Sequence, residues 1–472
     1  MDETGPATGY DGERAGGATY REVVRERDVR ILAISRFMAK TGISVLAYGT
    51  MVYLARGGAS QFQLSLANGA TFLAALLFGF QGGQIADTVP KRVALGAGFG
   101  VQAALCVLTP TLFGTGVGEL LLLIFVASAL AQVVAPGLKA AVAVVSTPAQ
   151  LATAGALVSV IGSIGSAIGS AFIAPILIKT TGIEVVLYVS GGLFAIGAVR
   201  VLALPEERGP QDIRAAMRDV DWKPRALSLT ETARWVVGNR EVGSMILIGA
   251  IVVALYQGFN TLLPVFVRDV LQEDPANTVY IFAPAGLGFL AGALYSPRLM
   301  HWFGERRVAV VSLGCMAGGM MLFGILDTVA PVFAVVSPLR LLELFGITVS
   351  TKTLAAGVIA IPTNFGSTAA GAAIQTFINR RVPVEQQGAI FGVEQVQTNA
   401  LCLAAVMLLG AVSTFTGPRF VYLVAPVIVI ALIVWLVVYS YRSVQGEHMT
   451  RRQALDTLFS EGSTVSEGST GP

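Results

Sequence analysis

Long apolar runs separated by short polar breaks dominate the chain. A membrane-spanning α-helix needs about 20 consecutive apolar residues, and twelve runs of that kind occur in the 472-residue sequence. They lie near 31–55, 62–82, 93–113, 119–137, 151–177, 183–204, 243–267, 278–297, 308–330, 353–378, 386–412 and 418–440. A charged stretch from Glu206 to Glu241 divides them into two sets of six. The pattern therefore predicts an all-α membrane protein with 12 transmembrane helices in two six-helix halves.

The two sets of runs behave as an internal repeat. The first run begins near 31 in one set and near 243 in the other, an offset of about 212. The offset grows to 235 between Pro148 and Pro383, which follow the fourth and tenth runs. About 22 extra residues are therefore needed in the second half, and an apolar segment near 331–350 accounts for them. Repeated six-helix halves are typical of secondary transporters, which bind substrate between the halves.

The placement of Lys and Arg predicts the orientation, because cytoplasmic loops are enriched in both. With the N-terminus inside, 24 of the 32 basic residues fall on the cytoplasmic side, including membrane edges. Six fall outside, namely Arg56, Lys179, Arg268, Arg340, Lys352 and Arg419, and the remaining two, Arg36 and Lys40, lie within the first span. A thirteenth span at 331–350 would reverse this bias for the last helices, so we expect a surface-lying or re-entrant segment there.

These observations predict a multi-pass protein of the cytoplasmic (inner) membrane with both termini in the cytoplasm. Its expected parts are an N-terminal tail at 1–28, a six-helix half at 29–205, a cytoplasmic linker at 206–241, a second half at 242–441 and a tail at 442–472. We expect a monomer that contacts the lipid bilayer.

Composition excludes several classes of function. The chain is 54% hydrophobic and 13% charged, with a mean hydropathy of +0.70, whereas soluble proteins carry about 25% charged residues. A net charge of +3 gives no reason to expect a nucleic-acid partner. Cys106, Cys315 and Cys402 lie in apolar runs, which is typical of buried single cysteines. The sequence lacks a phosphate-binding loop and a nucleophilic Ser motif, so we expect no catalytic residue, cofactor or metal site.

Polar residues at membrane depth are the candidate functional groups, because burying them in lipid is costly. Arg36 and Lys40 lie four residues apart on one face of the first span. Gln132, Gln257, Asn260 and Asn364 are the other candidates for a substrate cavity. Each of the six could instead hydrogen-bond between helices and hold the bundle together.

Acidic residues are scarce in the same segments. The first six runs contain no deep Asp or Glu, so the N-terminal half is cationic at depth. This favours an anionic or amphipathic substrate. Glu343 and Glu394 are the candidates for carrying a proton in a coupled cycle, although Arg340 could simply pair with Glu343.

One short motif resembles a known family. Gly83, Ile85, Ala86, Asp87, Lys91 and Arg92 match the loop between spans two and three of the major facilitator superfamily, whose pattern is Gly-x-Leu-Ala-Asp-Arg-x-Gly-Arg-Lys. Thr88 and Pro90 depart from it. The resemblance implies a conformational-switch role for Gly83, Asp87, Lys91 and Arg92. From the chemistry alone, Gly83 permits close helix packing and the two cations face lipid headgroups.

Other stretches resemble one branch of that family. Gly162, Gly165 and Gly169 in span five resemble the antiporter motif of drug exporters, although generic helix packing explains them equally well. The stretches at 229–240 and 380–392 resemble bacterial macrolide and siderophore exporters of the 12-span drug:proton antiporter type. The resemblance implies efflux of an amphipathic small molecule by alternating access with proton coupling. A lysophospholipid or other lipid carrier is the alternative, and a non-transport membrane protein is less favoured.

Overall fold

The structure, a computed structural model, describes residues 20–147, 150–204, 240–345, 348–382 and 384–444. The first half contains α1 (Arg27–Arg56), α2 (Gln61–Thr88), α3 (Lys91–Leu108), α4 (Val117–Val145), α5 (Leu151–Ile168) and α6 (Ile183–Val201). The second half contains α7 (Arg240–Phe266), α8 (Thr278–Phe303), α9 (Glu305–Gly324), α10 (Thr351–Arg381), α11 (Val384–Thr416) and α12 (Pro418–Val444). The two predicted sets of six are confirmed.

Shorter elements extend several of these helices. A short helix, Tyr20–Arg25, precedes α1, so the predicted N-terminal tail is already helical before residue 28. The α5 helix continues through a π-turn, Gly169–Ile173, into Ala174–Thr180. Further π-turns, Thr109–Phe113 and Val267–Leu271, end α3 and α7, and a 3₁₀ turn, Pro275–Asn277, precedes α8. Residues 206–239 of the predicted linker and the tail from 445 onward lie outside the described residues.

Among the described residues, eleven helices are long and apolar enough to cross a membrane. The remaining long helix, α10, has 31 residues and at 1.5 Å per residue reaches about 46 Å, more than the bilayer core requires. Polar residues such as Thr363 and Asn364 lower its hydropathy. They are tolerated because α10 packs between α8 and α9, so that Thr363 is buried and Asn364 partly buried. With α10, all twelve predicted spans are helices.

Packing repeats between the halves as the sequence offset predicts. The pairs α1–α5, α2–α4, α3–α6 and α1–α6 correspond to α7–α11, α8–α10, α9–α12 and α7–α12. Each half has a large apolar core, which includes Phe99 and Phe194 in the first and Phe266 and Phe323 in the second. Val265 and Ala276 of the second half pack into the first core. Contacts between the halves run mainly along α2 with α11, with smaller contacts of α8 with the π-turn Gly169–Ile173 and the short helix Ala174–Thr180. Because most residues of each core belong to one half, the halves can rock against each other while most of each core stays packed.

The apolar segment after α9 forms short turns and no spanning helix. The helix Leu326–Phe333 is followed by 3₁₀ turns at Ala334–Val336 and Pro338–Phe345, which together we call the inserted segment. Ala334 and Leu339 are buried, and Ser337 Oγ donates to the Leu354 carbonyl oxygen at 3.0 Å. The segment is therefore anchored on α10. The predicted run at 308–330 breaks at Ile325, so its last residues belong to this segment.

One acidic residue also anchors the inserted segment. Asp327 pairs with Lys352 at 2.8 Å and with Arg419 at 2.5 Å. These cations begin α10 and α12, so a single carboxylate joins the segment to both helices. All three side chains are exposed.

Candidate functional site

A cavity of about 660 Å³ lies between the two halves. Helices α1, α2, α4 and α5 form one wall, and α7, α8 and α10 form the other. The π-turn at Gly169–Ile173 contributes three lining residues, Ser170, Ala171 and Phe172. Such turns displace side chains from the regular helical positions and occur often at functional sites.

The wall from the first half is cationic. Arg36, Lys40 and Lys139 line the cavity, and none of the described residues that line it is Asp or Glu. Arg36 and Lys40 are partly buried, whereas Lys139 is exposed. A Cβ atom at Gly162 would lie 3.0 Å from Arg36 Nε, so the glycine leaves room for the guanidinium. A recess lined by charges of one sign concentrates ions of the opposite sign.

Serine hydroxyls extend this wall along α5. The lining includes Ser159, Ser163, Ser166 and Ser170. Ser44 Oγ and Ser166 Oγ lie 2.7 Å apart and share a hydrogen bond between α1 and α5. Because hydroxyls both donate and accept, they can adapt to several ligand orientations.

The wall from the second half is polar but neutral. Tyr256 OH donates to Asn364 Oδ1 at 2.6 Å, which joins α7 to α10. Asn260 Nδ2 donates to the Tyr256 carbonyl oxygen at 2.8 Å, and Gln257 also faces the cavity. The two walls therefore differ in charge, one positive and one neutral.

Aromatic and apolar groups complete the lining. Tyr48 and Phe282 form an edge-to-face pair across the halves with ring centroids 5.3 Å apart. Phe172, Phe289 and Met51 also line the cavity. Apolar surface beside fixed cations suits a ligand with an anionic group and a hydrophobic body.

The cavity is closed at the face where α1 ends, which we call the distal face. Arg56 at the end of α1 pairs with Asp274 at 2.7 Å. Arg268 Nη1 donates to the carbonyl oxygens of Ala55 and Ala59 at 3.0 Å each, and Lys179 Nζ donates to Asn277 Oδ1 at 2.8 Å. Each of these bonds joins one half to the other.

The halves separate toward the face where α1 begins, which we call the N-terminal face. Contacts of this part of the first half with α8 come from the π-turn Gly169–Ile173 and the short helix Ala174–Thr180 that follow α5 toward the distal face. Arg36, Lys139 and Ser159 line the cavity on the N-terminal side of that contact. In this conformation the cavity is therefore closed at the distal face and opens toward the N-terminal face.

Five of the six residues predicted for a cavity line this one: Arg36, Lys40, Gln257, Asn260 and Asn364. Gln132 lies elsewhere. Its Nε2 donates to the Ser128 carbonyl oxygen at 3.2 Å, and its backbone packs on Gly82 of α2. Gln132 therefore contributes to the α2–α4 contact through its backbone, while its side chain bonds within α4 and makes no hydrogen bond to another described helix.

Lys139 is the lining cation that the sequence did not single out. The apolar run predicted for span four ends at 137, whereas α4 continues to Val145. The extra turns bring Lys139 beside the cavity. Its signal was a lone lysine just past an apolar run, which is also the pattern of an ordinary membrane-edge residue.

The motif at 83–92, predicted as a loop between spans two and three, is mostly helical. Gly83 and Asp87 lie in the last turns of α2, and Lys91 and Arg92 begin α3. The close helix approach falls one residue earlier than predicted, at Gly82, because a Cβ at Gly83 would meet open space. The Asp87 side chain lies outside what the structure describes, so its partner stays a prediction.

Of the two proton-coupling candidates, Glu394 is described and does not line the cavity. Glu394 lies ten residues into α11, is partly buried and has no hydrogen bond or ion pair with a described residue. The side chain of Glu343 lies outside the described part of the chain. Arg340, its suggested partner, donates from Nε to the Ala334 carbonyl oxygen at 2.9 Å.

The three glycines of span five face α1. A Cβ at Gly165 would lie 2.9 Å from the Phe37 carbonyl oxygen, and one at Gly169 would lie 2.8 Å from that of Thr41. Thr41 Oγ1 donates to the Gly165 carbonyl oxygen at 3.1 Å. These positions, together with Gly162 beside Arg36, bring α1 and α5 close enough to form one cavity wall.

Comparisons with known proteins agree with this architecture. Crystal structures of transporters share the fold, among them a variant of the nucleoside transporter NupG (TM-score 0.64, 14% identity, 87% of this chain and 98% of that chain). A bacterial homologue of the iron transporter ferroportin in an inward-facing state gives a TM-score of 0.59 at 13% identity, covering 87% and 98%. A POT family transporter in complex with 5-aminolevulinic acid gives 0.58 at 11% identity, covering 91% and 100%.

At these identities the structural likeness establishes the fold alone. None of the curated proteins compared matches the chain by sequence. The model of the family described as Major Facilitator Superfamily matches residues 32–360, which is more than half of the chain. Together with the twelve-helix fold and the cavity between its halves, this match shows that the chain belongs to the Major Facilitator Superfamily and is a secondary transporter, not an enzyme.

Proposed function

We propose that the protein exports an anionic, amphipathic small molecule, such as an acidic drug or a siderophore, by proton-coupled alternating access. The observation that supports this substrate class most directly is the sign of the cavity charges. Among the described residues that line the cavity, those of the types Lys, Arg, Asp and Glu are Arg36, Lys40 and Lys139, and all three are cationic. A cationic substrate would meet three like charges with no carboxylate to offset them.

The apolar part of the proposed substrate follows from the rest of the lining. Phe172, Phe282 and Phe289 lie on the same cavity as the cations. A volume of about 660 Å³ falls in the range of about 300–1,000 Å³ that holds drug-sized ligands. A small inorganic anion would leave the aromatic surface uncovered.

Two features support export as the direction of transport. The basic residues indicate that the N-terminal face is cytoplasmic, with both termini inside the cytoplasmic membrane. The cavity of this conformation opens toward that face, so a cytoplasmic substrate would reach the cations first. Closure at the N-terminal face and breakage of pairs such as Arg56–Asp274 would then release it on the other side.

Transport into inverted vesicles tests the substrate class and the direction. The panel consists of an acidic drug, a siderophore, a lysophospholipid and a cationic dye, each with and without a pH gradient. We expect uptake of the anionic compounds and acceleration by the gradient. Preference for the cationic dye would contradict the proposal. Preference for the lysophospholipid over both soluble anions would favour the lipid-carrier alternative.

Glu394 is the proposed proton carrier. We expect Glu394→Gln to abolish the dependence of transport on the pH gradient while substrate binding persists, because an amide cannot exchange a proton in this range. Glu119→Gln is the matched control, since Glu119 is an exposed carboxylate at the distal end of α4. Unchanged proton dependence in Glu394→Gln would remove this residue from the coupling mechanism.

A further inference from the structure

The amide side chains that line the transport cavity differ in how far the protein itself satisfies them. Asn364 is engaged at both ends, since its Oδ1 accepts from Tyr256 OH and its Nδ2 donates to the Ala360 carbonyl oxygen at 2.9 Å. Asn260 uses its Nδ2 on the Tyr256 carbonyl oxygen. Gln257 is partly buried, and its side-chain amide has no hydrogen bond with any described residue. Gln257 therefore presents one carbonyl oxygen and two N–H bonds to the cavity.

A second lining amide, Asn68 of α2, is linked to the turn of α7 that carries Gln257. Asn68 Nδ2 donates to Thr261 Oγ1 at 2.5 Å, and Thr261 Oγ1 donates to the Gln257 backbone carbonyl oxygen at 2.7 Å. Because the Thr261 hydroxyl proton is used on that carbonyl, Asn68 must be the donor in the first bond. Its Oδ1 is left as an acceptor without a donor in the described part of the chain. We call Asn68 and Gln257 the amide pair.

The amide pair and the cations lie at different depths in the cavity. At 1.5 Å per residue, Lys139 and Lys40 lie about 9 Å and about 20 Å along their helices from the ends at the N-terminal face. By the same count, Gln257 and Asn68 lie about 26 Å and about 30 Å from those ends. A ligand that contacts both groups therefore has its anionic end toward the opening and its other end near the closed distal face.

From these positions we infer that the amide pair selects substrates that carry a neutral carboxamide at the end remote from their anionic group. The carbonyl oxygen and N–H of Gln257 match the N–H and carbonyl oxygen of a carboxamide, and Asn68 Oδ1 accepts its second N–H. An apolar end would displace water from the Gln257 amide and leave it without a partner, which is costly. The inference rests on the proposed function, because it narrows the class of anionic, amphipathic substrates.

Two probes that differ in one group test the inference. Both are arylalkanoic acids. One carries a primary carboxamide at the position farthest from its carboxylate, and the other carries a methyl ketone there, which has nearly the same shape but no N–H donor. Isothermal titration calorimetry with the purified full-length protein gives both Kd values. We expect the wild type to bind the carboxamide about fivefold more tightly than the ketone, as for one neutral hydrogen bond.

Variants of the amide pair should remove this preference. Gln257→Met keeps the length of the side chain and removes both hydrogen-bonding groups, so we expect the ratio of the two Kd values to fall to about one. Asn68→Leu should lower the ratio without abolishing it. Because the ratio is measured within one preparation, a partly unfolded variant cannot imitate either result.

Two further variants separate the amide pair from other effects. Gln132→Met is the matched control, because it removes the same amide from a residue that does not line the cavity; we expect it to keep the wild-type Kd ratio. Lys40→Gln should weaken the binding of both probes and leave the ratio unchanged, because both probes carry the carboxylate.

Equal affinity of the wild type for the two probes would overturn the inference and leave anion recognition intact. An unchanged ratio in Gln257→Met, or an equal loss of the ratio in Gln132→Met, would also overturn it. Failure of the proposed function gives a different pattern. Neither acid would then bind, or Lys40→Gln would leave both affinities unchanged, and the inference would fall with the function on which it rests.

Discussion

Removing the charge of Lys40 is the most direct test of how the cavity recognises its substrate. Lys40 is partly buried between the halves, and Lys139 faces the same cavity from an exposed position. Two unit charges 4 Å apart interact by about 4 kcal/mol at the effective dielectric near a protein surface and by about 1 kcal/mol in bulk water. The same ligand carboxylate should therefore gain more from Lys40 than from Lys139.

After desolvation, a hydrogen bond to a charged group contributes about 1.5–3 kcal/mol, which corresponds to roughly a 10- to 150-fold change in Kd. We expect Lys40→Gln to weaken the binding of an anionic amphiphile within that range. For Lys139→Gln we expect about a fivefold loss, as for a solvated pair worth about 1 kcal/mol. Because salt screens exposed charges more than buried ones, high ionic strength should reduce the Lys139 effect first.

The assay is fluorescence titration of an anionic amphiphilic probe into the purified protein, followed by uptake of that probe in proteoliposomes. Arg200→Gln is the control, since Arg200 is an exposed arginine at the end of α6 that does not line the cavity. Equal affinity of wild type and Lys40→Gln for the anionic probe would refute the reasoning. So would tighter binding of a cationic probe to the wild type.

Two further predictions concern stability. Gly165→Ala should lower the free energy of unfolding by about 1–3 kcal/mol, and with it the Tm, because the added methyl group would lie 2.9 Å from the Phe37 carbonyl oxygen. Gly155→Ala is the control, because a methyl group there would have nothing within 4 Å, and it should leave the Tm unchanged or raise it. Equal effects of the two substitutions would contradict the packing of α5 on α1. The hydrogen bond from Lys352 holds the pKa of the exposed Asp327 carboxyl below its ordinary value. A pKa that is lower in the folded than in the unfolded state stabilises the folded state at pH values above the unfolded-state pKa. This stabilisation is lost as the pH falls through the folded-state pKa. At pH 7, Asp327→Asn should therefore lower the free energy of unfolding by less than about 1 kcal/mol, and the Tm slightly. The difference in Tm between wild type and variant should close below about pH 4. A difference that persists in acid would disprove the ionic contribution.

The helices could be predicted from the sequence because the length of an apolar run can be read locally and compared with the number of residues needed to span the bilayer. The two sets of six and the repeat followed from such runs and their offsets, whereas the absence of a thirteenth span at 331–350 followed from the placement of Lys and Arg. The end of a helix was less predictable. The α4 helix continues eight residues beyond the run that ended at 137, because helix formation does not stop where lipid contact stops.

Membership of the cavity was predictable in part. A lone cation such as Lys40 in an apolar run must avoid lipid, so the sequence already indicated a protein-lined or water-filled site for it. Gln132 gave the same kind of signal and instead bonds within α4. A neutral amide can satisfy itself on a nearby carbonyl group, whereas a charge cannot be neutralised so cheaply, so buried charge is the stronger predictor.

What the sequence by itself determined was the set of helices, their repeat and the cationic character of the first half. Only the tertiary structure decided that Lys139 joins Arg36 and Lys40, because those residues come from α1 and α4 and meet through helix packing. It also decided which face is closed, through bonds such as Arg56 to Asp274 that join residues 218 positions apart. A transporter adopts conformations open to either face of the membrane with a single sequence. The sequence therefore encodes the helix packing of both conformations, and the structure shows one of them.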